Sequence, residues 1–451
     1  MARQISNHAP LDHIGDPGTP LVDVAAAASR QRWARLIPIV FVTYSLAYLD
    51  RANFSIASAS GMAKDLGITG GTSALIAASF FLGYFLFQIP GVIYADRRSV
   101  RTLIFWCVLA WGVLASLQGL MSSAAALIAV RFGLGAVEAA VLPALVVFLA
   151  RWFTKPERGR ANAFLILGNP VTVLWLSALS GYLVEFASWR GMFLIEGIPA
   201  ILWAFYFRWQ VRDHPREAPW LNAQERDRVE TALAAEHPTL ATEQGTPART
   251  GSYLAALRSP AVILLAVQYL LWSLGVYGFV FWLPSIVKAG SSTGIGTTGL
   301  LSAAPYALAV LLMVFNSRHS DRSGNRARFV WPWLILGAAA FYASYALGPD
   351  HLWISFVLLI IAGGAIYAPY GPFFAMISEL LPRSTAALAV AGINAFGALG
   401  GFLGTYLVGW LDSLTGGTGA SFLLLAISMA AAAALTVTAT ARQRSKRQVS
   451  A

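Results

Sequence analysis

Residues 124–149 read AAALIAVRFGLGAVEAAVLPALVVFL, a run of apolar and small residues that contains two charges, Arg131 and Glu138. A helix needs about 20 apolar residues to cross the hydrocarbon core of a bilayer, and this run is long enough. A charged side chain at the bilayer centre costs about 2.5–3.5 kcal/mol on insertion scales, so such residues usually mark a functional site. The stretch therefore predicts a transmembrane helix with two candidate functional charges.

The composition of the whole chain extends this prediction to the entire protein. Of its 451 residues, 57% are apolar and only 12% are charged, whereas soluble domains carry about 25% charged residues. This deficit excludes an ordinary soluble protein. The single cysteine, Cys107, cannot form an intrachain disulfide. Residues 1–32 are polar and show no apolar core followed by a cleavage site, so we expect no cleaved signal peptide.

Apolar runs of the required length recur along the chain and predict an all-α polytopic membrane protein with twelve transmembrane helices. The predicted spans are 36–59, 73–95, 102–120, 124–149, 162–184, 192–210, 260–287, 298–317, 329–348, 352–377, 386–411 and 420–440. The longest polar stretch, 211–257, separates spans six and seven. Within it, residues 220–236 place a few apolar residues among charges, which predicts a short amphipathic helix.

The basic residues predict the orientation. Of the 32 Lys and Arg residues, Arg51 and Arg131 lie within spans, and Lys64, Arg190 and Lys288 lie on one side of the membrane. All the others fall in loops and tails of the opposite side, which we call the basic face. The positive-inside rule then places both termini and the central loop in the cytoplasm, with the protein in the inner membrane. Because topology explains these charges, they do not indicate nucleic-acid binding.

A repeated turn divides the chain into two halves of six spans, which we expect to surround a central cavity. Asp96-Arg97-Arg98 follows span two, and Asp321-Arg322 with Arg326 follows span eight. The candidate gating residues are Asp96, Arg97, Asp321 and Arg322. Two parallel repeats would place both turns on the same side of the membrane. The predicted organisation is a tail at 1–35, a bundle at 36–210, a central loop at 211–257, a bundle at 258–441 and a tail at 442–451.

Four motifs and the paired Asp-Arg turns carry a resemblance to a known family, and this resemblance covers nearly all of the chain after residue 33. The four motifs are Tyr48-Leu-Asp50-Arg51-Ala-Asn53, Arg131-Phe-Gly-Leu-Gly-Ala-Val-Glu138, Ser188-Trp189-Arg190 and Phe281-Trp282-Leu283-Pro284. The turns resemble the major facilitator superfamily, and the motifs resemble its anion:cation symporter branch, which includes tartrate and phthalate members. One departure is Arg98-Ser99, where a Gly often stands. The resemblance implies that Arg51 binds a substrate carboxylate and that Asp50 and Glu138 take part in proton coupling.

The spacing of the charges is compatible with these roles. Arg131 and Glu138 are seven residues apart, so both lie on one helix face with Cα atoms about 10.5 Å apart. They could approach each other as a structural pair, or each could face a different partner. An arginine fork suits a carboxylate, and desolvation makes a buried Glu a candidate proton carrier. Asp50 and Arg51 point about 100° apart, and an anion bound at Arg51 would help Asp50 to take a proton.

Polar residues in other spans are candidates for the rest of a substrate site. With Arg51 and Arg131 they are Tyr48, Tyr84, Asn169, Gln268, Tyr277, Tyr370 and Asn394. Prolines predict a break at Asn169-Pro170 in span five and an interruption of span ten at 367–372. Two arginine forks suit a mono- or dicarboxylate, and the aromatic residues would accept a sugar acid or an aromatic ring. The sequence leaves that choice open.

These observations predict a secondary transporter that imports a small organic carboxylate by alternating access with proton symport. Sodium coupling, anion exchange or a membrane-embedded enzyme are the alternatives. An enzyme is disfavoured because no histidine lies within a span, and no phosphate-binding loop of the type G-x-x-x-x-G-K-[ST] occurs. We expect the cargo, a proton and the lipid bilayer as partners, no cofactor or metal, and a functional monomer.

Overall fold

The computed structural model describes residues 21–97, 99–236, 259–290, 294–347, 351–380, 383–417 and 419–449, and this part of the chain is helical with short connections. The membrane helices are α1 Leu21–Ala57, α2 Gly70–Arg97, α3 Val100–Gln118, α4 Ala124–Trp152, α5 155–187, α6 189–210, α7 Pro260–Gly290, α8 Ile295–Ser323, α9 Trp331–Leu347, α10 Leu352–Tyr367 with Tyr370–Leu380, α11 Arg383–Thr415 and α12 Gly419–Val449. Short helices lie at Ser58–Met62, Ala63–Asp65, Pro215–Glu217, Ala223–Glu236 and Arg326–Phe329.

The predicted twelve-helix architecture is confirmed. Ten described helical stretches are long and apolar enough to cross a membrane. One of them, Glu157–Gln210, contains both α5 and α6, because Ser188 leaves helical geometry with φ 62°. The remaining membrane helix is α1, which carries Asp50 and Arg51 in its apolar half.

Three local predictions can be compared with the structure: a break at Pro170, an interruption of α10 and the start of α1. The predicted break at Pro170 is wrong, since α5 continues through it, as membrane helices can when neighbours compensate the lost hydrogen bond. The interruption of α10 is confirmed, because one segment ends at Tyr367 and the next begins at Tyr370. Helix α1 begins at Leu21, earlier than the predicted span, because an alanine-rich stretch at 25–28 favours helix beyond the bilayer.

The basic-face end of the first half is tied together by side chains from several elements. Arg32 donates to the carbonyl oxygen of Trp152 at 2.8 Å and forms an ion pair with Glu157 at 3.1 Å. Asp213, just after α6, accepts hydrogen bonds from the Ser99 hydroxyl at 2.5 Å and the Arg101 backbone N–H at 3.0 Å, at the start of α3. The first part of the central loop is therefore attached to the first six helices.

The two halves meet along two helix pairs, α2 with α11 and α5 with α8. At the face opposite the basic face, the backbone N–H of Gly296 on α8 donates to Glu185 of α5 at 2.8 Å. At the same face, Gly409 of α11 lies directly against Ala74 of α2. These contacts close the interface at that end of the molecule.

Helices α2 and α4 approach so closely that glycine is required at their crossing. A Cβ on Gly135 would collide with the carbonyl oxygen of Phe80, and one on Gly83 would collide with that of Phe132. Both obstacles are backbone atoms, which cannot rotate away. This contact holds the α4 segment that carries Glu138 against α2.

We expect Gly135→Ala to destabilise the protein by about 1–3 kcal/mol, because overpacking must push the two helices apart. The measurement is the thermal unfolding midpoint of detergent-purified protein. Gly133→Ala is the matched control, since its new Cβ would find only Leu114 Cδ1 at 3.7 Å, an ordinary contact. Equal unfolding midpoints for the two variants would contradict the close crossing.

Candidate functional site

The centre of the candidate site is an ion pair between Arg51 of α1 and Glu138 of α4. The Nη2 atom of Arg51 donates to the Oε1 atom of Glu138, and the two side chains are only 7% and 1% exposed. Of the arrangements that the sequence allowed, the structure thus shows Glu138 facing a partner on another helix. Buried charges in proteins are normally paired, because an isolated one loses its hydration without compensation.

Aromatic residues surround the Arg51 guanidinium. Its Cζ atom lies 4.5 Å from the centre of the Tyr48 ring and 4.8 Å from that of Tyr84. Its Nη1 atom donates to the Tyr277 hydroxyl at 3.3 Å, and that hydroxyl is 3.2 Å from the Tyr48 hydroxyl. Since Tyr277 belongs to α7, Arg51 connects the two halves of the molecule.

A cavity with a free volume of about 30 Å³ lies beside this arginine, between the two halves. This volume is large enough for a water molecule, which needs roughly 10–15 Å³, and is well below the about 300–1,000 Å³ of usual small-molecule sites. The described residues that line it are Tyr44, Tyr48, Arg51, Phe81, Tyr84, Leu142, Ile166, Asn169, Tyr269, Tyr277, Tyr370, Phe374, Asn394, Gly397 and Ala398. Seven of the nine residues proposed from the sequence as substrate ligands therefore reach one cavity.

The other two, Arg131 and Gln268, are buried outside this lining. Arg131 is 2% exposed, lies 4.4 Å from the centre of the Phe54 ring and donates to Gln118 at 3.5 Å. Gln268 is fully buried, and neither amide atom has a hydrogen-bond partner among the described residues. Within the cavity, the Asn169 side-chain oxygen likewise has no described protein partner. A buried polar atom without a partner destabilises the fold, so the Asn169 oxygen is a candidate to bind a polar group of a ligand.

The remaining candidate residues are placed as follows. Asp50 precedes Arg51 on α1, but its side chain lies outside the described residues, as do those of Asp96 and Arg97. At the end of α8, Asp321 forms an ion pair with Arg326, and Arg322 is exposed. Both halves thus have their Asp-Arg turn at the end of the second helix.

Sequence reasoning missed several residues of the site and its surroundings. Tyr44, four residues before Tyr48, shares its helix face, so that spacing could have identified it. Tyr269 and Phe374 also line the cavity.

A second carboxylate, Glu196 of α6, is buried in the first half. It accepts hydrogen bonds from Asn53 at 2.8 Å and Ser180 at 2.6 Å. It joins α1, α5 and α6 outside the cavity lining. Among the described residues, no group of His, Cys, Asp and Glu could hold a metal ion.

Comparison with known proteins identifies the family of the chain. The model of the Major Facilitator Superfamily matches residues 40–404 and 293–451. A protein of Agrobacterium vitis that carries the name of a tartrate transporter is 31% identical over 89% of this chain and 88% of its own length. The D-galactonate transporter of Escherichia coli is 24% identical over 86% and 90% of the two chains. The solved structure of a D-xylose-proton symporter superposes with a TM-score of 0.70 at 14% identity, covering 89% of this chain and 96% of that one. The chain is therefore a membrane transporter that belongs to the major facilitator superfamily.

Proposed function

We propose that the protein is a secondary transporter that imports a small organic carboxylate together with a proton. The observation that carries this proposal is the buried Arg51–Glu138 ion pair beside a cavity between the two halves. The names of two relatives, which refer to tartrate and D-galactonate, support an organic acid as cargo. The chain has no phosphate-binding loop, so the driving force would come from a gradient.

The ion pair supplies a simple coupling mechanism. Ionised Glu138 accepts a hydrogen bond from the Arg51 guanidinium, and a carboxylate cargo would compete for the same N–H donors. When Glu138 takes a proton, it no longer neutralises Arg51, and the guanidinium is left to bind the cargo by charge-assisted hydrogen bonds. Proton and anion would thus occupy the site together. Asp50, the neighbour of Arg51, is the second candidate for protonation.

The other groups have supporting roles in this proposal. The cargo would contact Arg51 and also Tyr48, Tyr84, Asn169, Tyr277, Tyr370 and Asn394, while Arg131 and Gln268 would support the helices from outside the cavity. The protein would act as a monomer. The Asp-Arg turns would gate the basic face as the halves rock.

We further propose that the basic face, with both termini and the central loop, lies in the cytoplasm. The bundles would then be residues 36–210 and 258–441, flanked by tails at 1–35 and 442–451 and joined by the loop 211–257. The interface is closed at the opposite face, so the cavity would open inward. Labelling of a cysteine in the C-terminal tail from outside intact cells would contradict this orientation.

The test of the proposal is uptake of carboxylates by proteoliposomes. Uptake should rise as external pH falls and should collapse with a protonophore. A sodium gradient alone should have no effect. Uptake that follows sodium and ignores the protonophore would reject proton coupling but not carboxylate transport. Absence of uptake of any organic acid would reject the proposal itself.

A further inference from the structure

We infer that Arg131 is a positioning residue for an outer gate. It holds the ring of Phe54 against Phe281 of the other half, and these two rings, which we call the aromatic plug, close the cavity toward the face opposite the basic face. The inference rests on the proposed function, because it takes the cavity as the cargo site and that face as the outside of the cell. It assigns a role to a membrane charge that lies outside the cavity lining.

The first observation is the contact between Arg131 and Phe54. The Cζ atom of Arg131 lies 4.4 Å from the centre of the Phe54 ring and 5.3 Å from that of Phe80. Arg131 is 2% exposed and Phe54 is fully buried. A cation over the face of a ring contributes most where both groups are desolvated. Arg131 on α4 therefore fixes the position of the Phe54 ring near the end of α1.

The second observation is the contact of Phe54 with the second half. Its ring centre lies 6.0 Å from that of Phe281, with 23° between the ring planes, which is a stacked arrangement. Because α1 and α7 belong to different halves, the aromatic plug spans the interface between them. Phe281 is buried, and its neighbour Trp282 donates from Nε1 to the carbonyl oxygen of Thr405 on α11 at 3.3 Å. Phe281 thus lies beside a residue that is tied to a further helix of its own half.

The aromatic plug lies just beyond the cavity on the way to the face opposite the basic face. Phe54 follows Arg51 by three residues and Phe281 follows Tyr277 by four, so each ring lies about one helical turn farther along. Both α1 and α7 begin at the basic face and run away from it. Neither ring is among the described residues that line the cavity. Cargo that enters from outside would therefore meet the plug before it reaches Arg51.

The two contacts respond differently when the halves rock. Arg131 and Phe54 belong to the same half, whereas Phe54 and Phe281 belong to different halves. When the halves move as rigid bodies, contacts within a half persist and contacts between the halves break. Outward opening would separate Phe281 from Phe54, and Arg131 would keep the Phe54 ring in place for the next closure. Loss of this support should weaken closure without removing a group from the cargo site.

Access from outside to a cysteine in the cavity tests the aromatic plug. Ala398→Cys places the cysteine in the lining, in a Cys107→Ser background that removes the single native thiol. Since the cavity has a free volume of only about 30 Å³, a membrane-impermeant methanethiosulfonate added to intact cells should react only when the outer gate opens. One aromatic contact is worth about two- to tenfold in an equilibrium, so Phe54→Leu and Phe281→Leu should each raise the reaction rate by about that factor.

Phe279→Leu is the matched control for the plug. Phe279 is buried in the second half and packs against Phe341 of that half, with ring centres 5.6 Å apart. Its replacement should change the reaction rate by less than twofold. Equal rates for Phe279→Leu and Phe281→Leu would overturn the plug. Because labelling measures access and not transport, that result would leave carboxylate transport standing.

Lys64→Cys checks the side from which the reagent arrives. Lys64 is exposed in the short helix that follows α1, at the face opposite the basic face. Its cysteine should react from outside in every variant. Reaction of Lys64→Cys only in inside-out vesicles would overturn the proposed orientation and the outer gate together, whereas a reactive Lys64→Cys with unchanged cavity labelling would overturn the gate alone.

A double-variant cycle tests the role of Arg131 in the same labelling assay. Arg131→Met removes the cation and should raise the reaction rate about three- to tenfold, whereas Arg131→Lys keeps a cation and should stay within about twofold of the parent. In a Phe54→Leu background, adding Arg131→Met should have no further effect, because the ring that it positions is gone. An equal rise with and without the Phe54 ring would overturn the positioning role. So would an unchanged rate in Phe54→Leu alone, a variant that leaves every buried charge in place.

Discussion

Replacing Arg51 by lysine is expected to weaken cargo binding about tenfold to a hundredfold, even though the positive charge is kept. Two Nη atoms of Arg51 donate to groups on different helices, Glu138 and Tyr277, while its Cζ atom lies over the rings of Tyr48 and Tyr84. Lysine has a compact ammonium group that cannot present a planar fork or stack on both rings. A hydrogen bond to a charged group contributes about 1.5–3 kcal/mol, which gives the expected loss.

The measurement is the dissociation constant of the carboxylate that the wild-type protein binds best. Arg51→Ala alone would leave Glu138 buried without this partner and destabilise the fold. The double variant Arg51→Ala, Glu138→Gln removes both charges, so it should regain stability while binding no anion. Recovery of anion binding in the double variant would show that Arg51 is structural.

Arg131→Lys is the matched comparison, since both arginines lie within the membrane and only Arg51 lines the cavity. We expect Arg131→Lys to change the affinity for cargo by less than twofold. An equal loss of affinity in the two lysine variants would contradict the distinction that the structure draws between them.

The architecture was predictable from the sequence because membrane helices are specified by length and hydropathy alone. Every backbone polar group must be satisfied within the bilayer, so a long apolar run has few alternatives to a helix. The break at 368–369 in α10 was predictable for a related reason, since two closely spaced prolines remove hydrogen bonds. Pro170 was misjudged because the outcome for a single proline depends on neighbouring helices that sequence does not reveal.

The site was predictable in part. The residues Arg51 and Glu138 were recognisable because a buried charge is costly wherever it occurs. Their pairing was not, because it depends on how α1 and α4 rotate against each other. The same rotation decides that Arg131 faces Phe54 instead of the cavity. Spacing on one helix says which residues share a face, but the packing of helices decides what that face meets.

Replacing Glu138 by glutamine is expected to abolish accumulation of cargo while leaving exchange intact. Glutamine has the shape of a protonated glutamate and carries no charge, so Arg51 stays available to the cargo at any pH. For a symport of one proton per anion without a membrane potential, an inward gradient of one pH unit would support about tenfold accumulation. The variant should equilibrate its cargo to equal concentrations and exchange labelled for unlabelled anion at a rate close to that of the wild type.

Two further variants locate the coupling in the proteoliposome assay. Glu196→Gln is the matched control, because Glu196 is a buried carboxylate of the same half that accepts hydrogen bonds from Asn53 and Ser180 and lies outside the cavity lining. It should keep the full accumulation ratio. Asp50→Asn should lose accumulation if the two acids act in series and should be nearly normal if Glu138 couples alone.

Because ionised Glu138 competes with the cargo for Arg51, the affinity of the wild-type protein for its cargo should fall as pH rises. The Glu138→Gln variant should bind the cargo equally well at every pH. A Glu138→Gln protein that still concentrates cargo tenfold would show that its proton is not the one that drives transport.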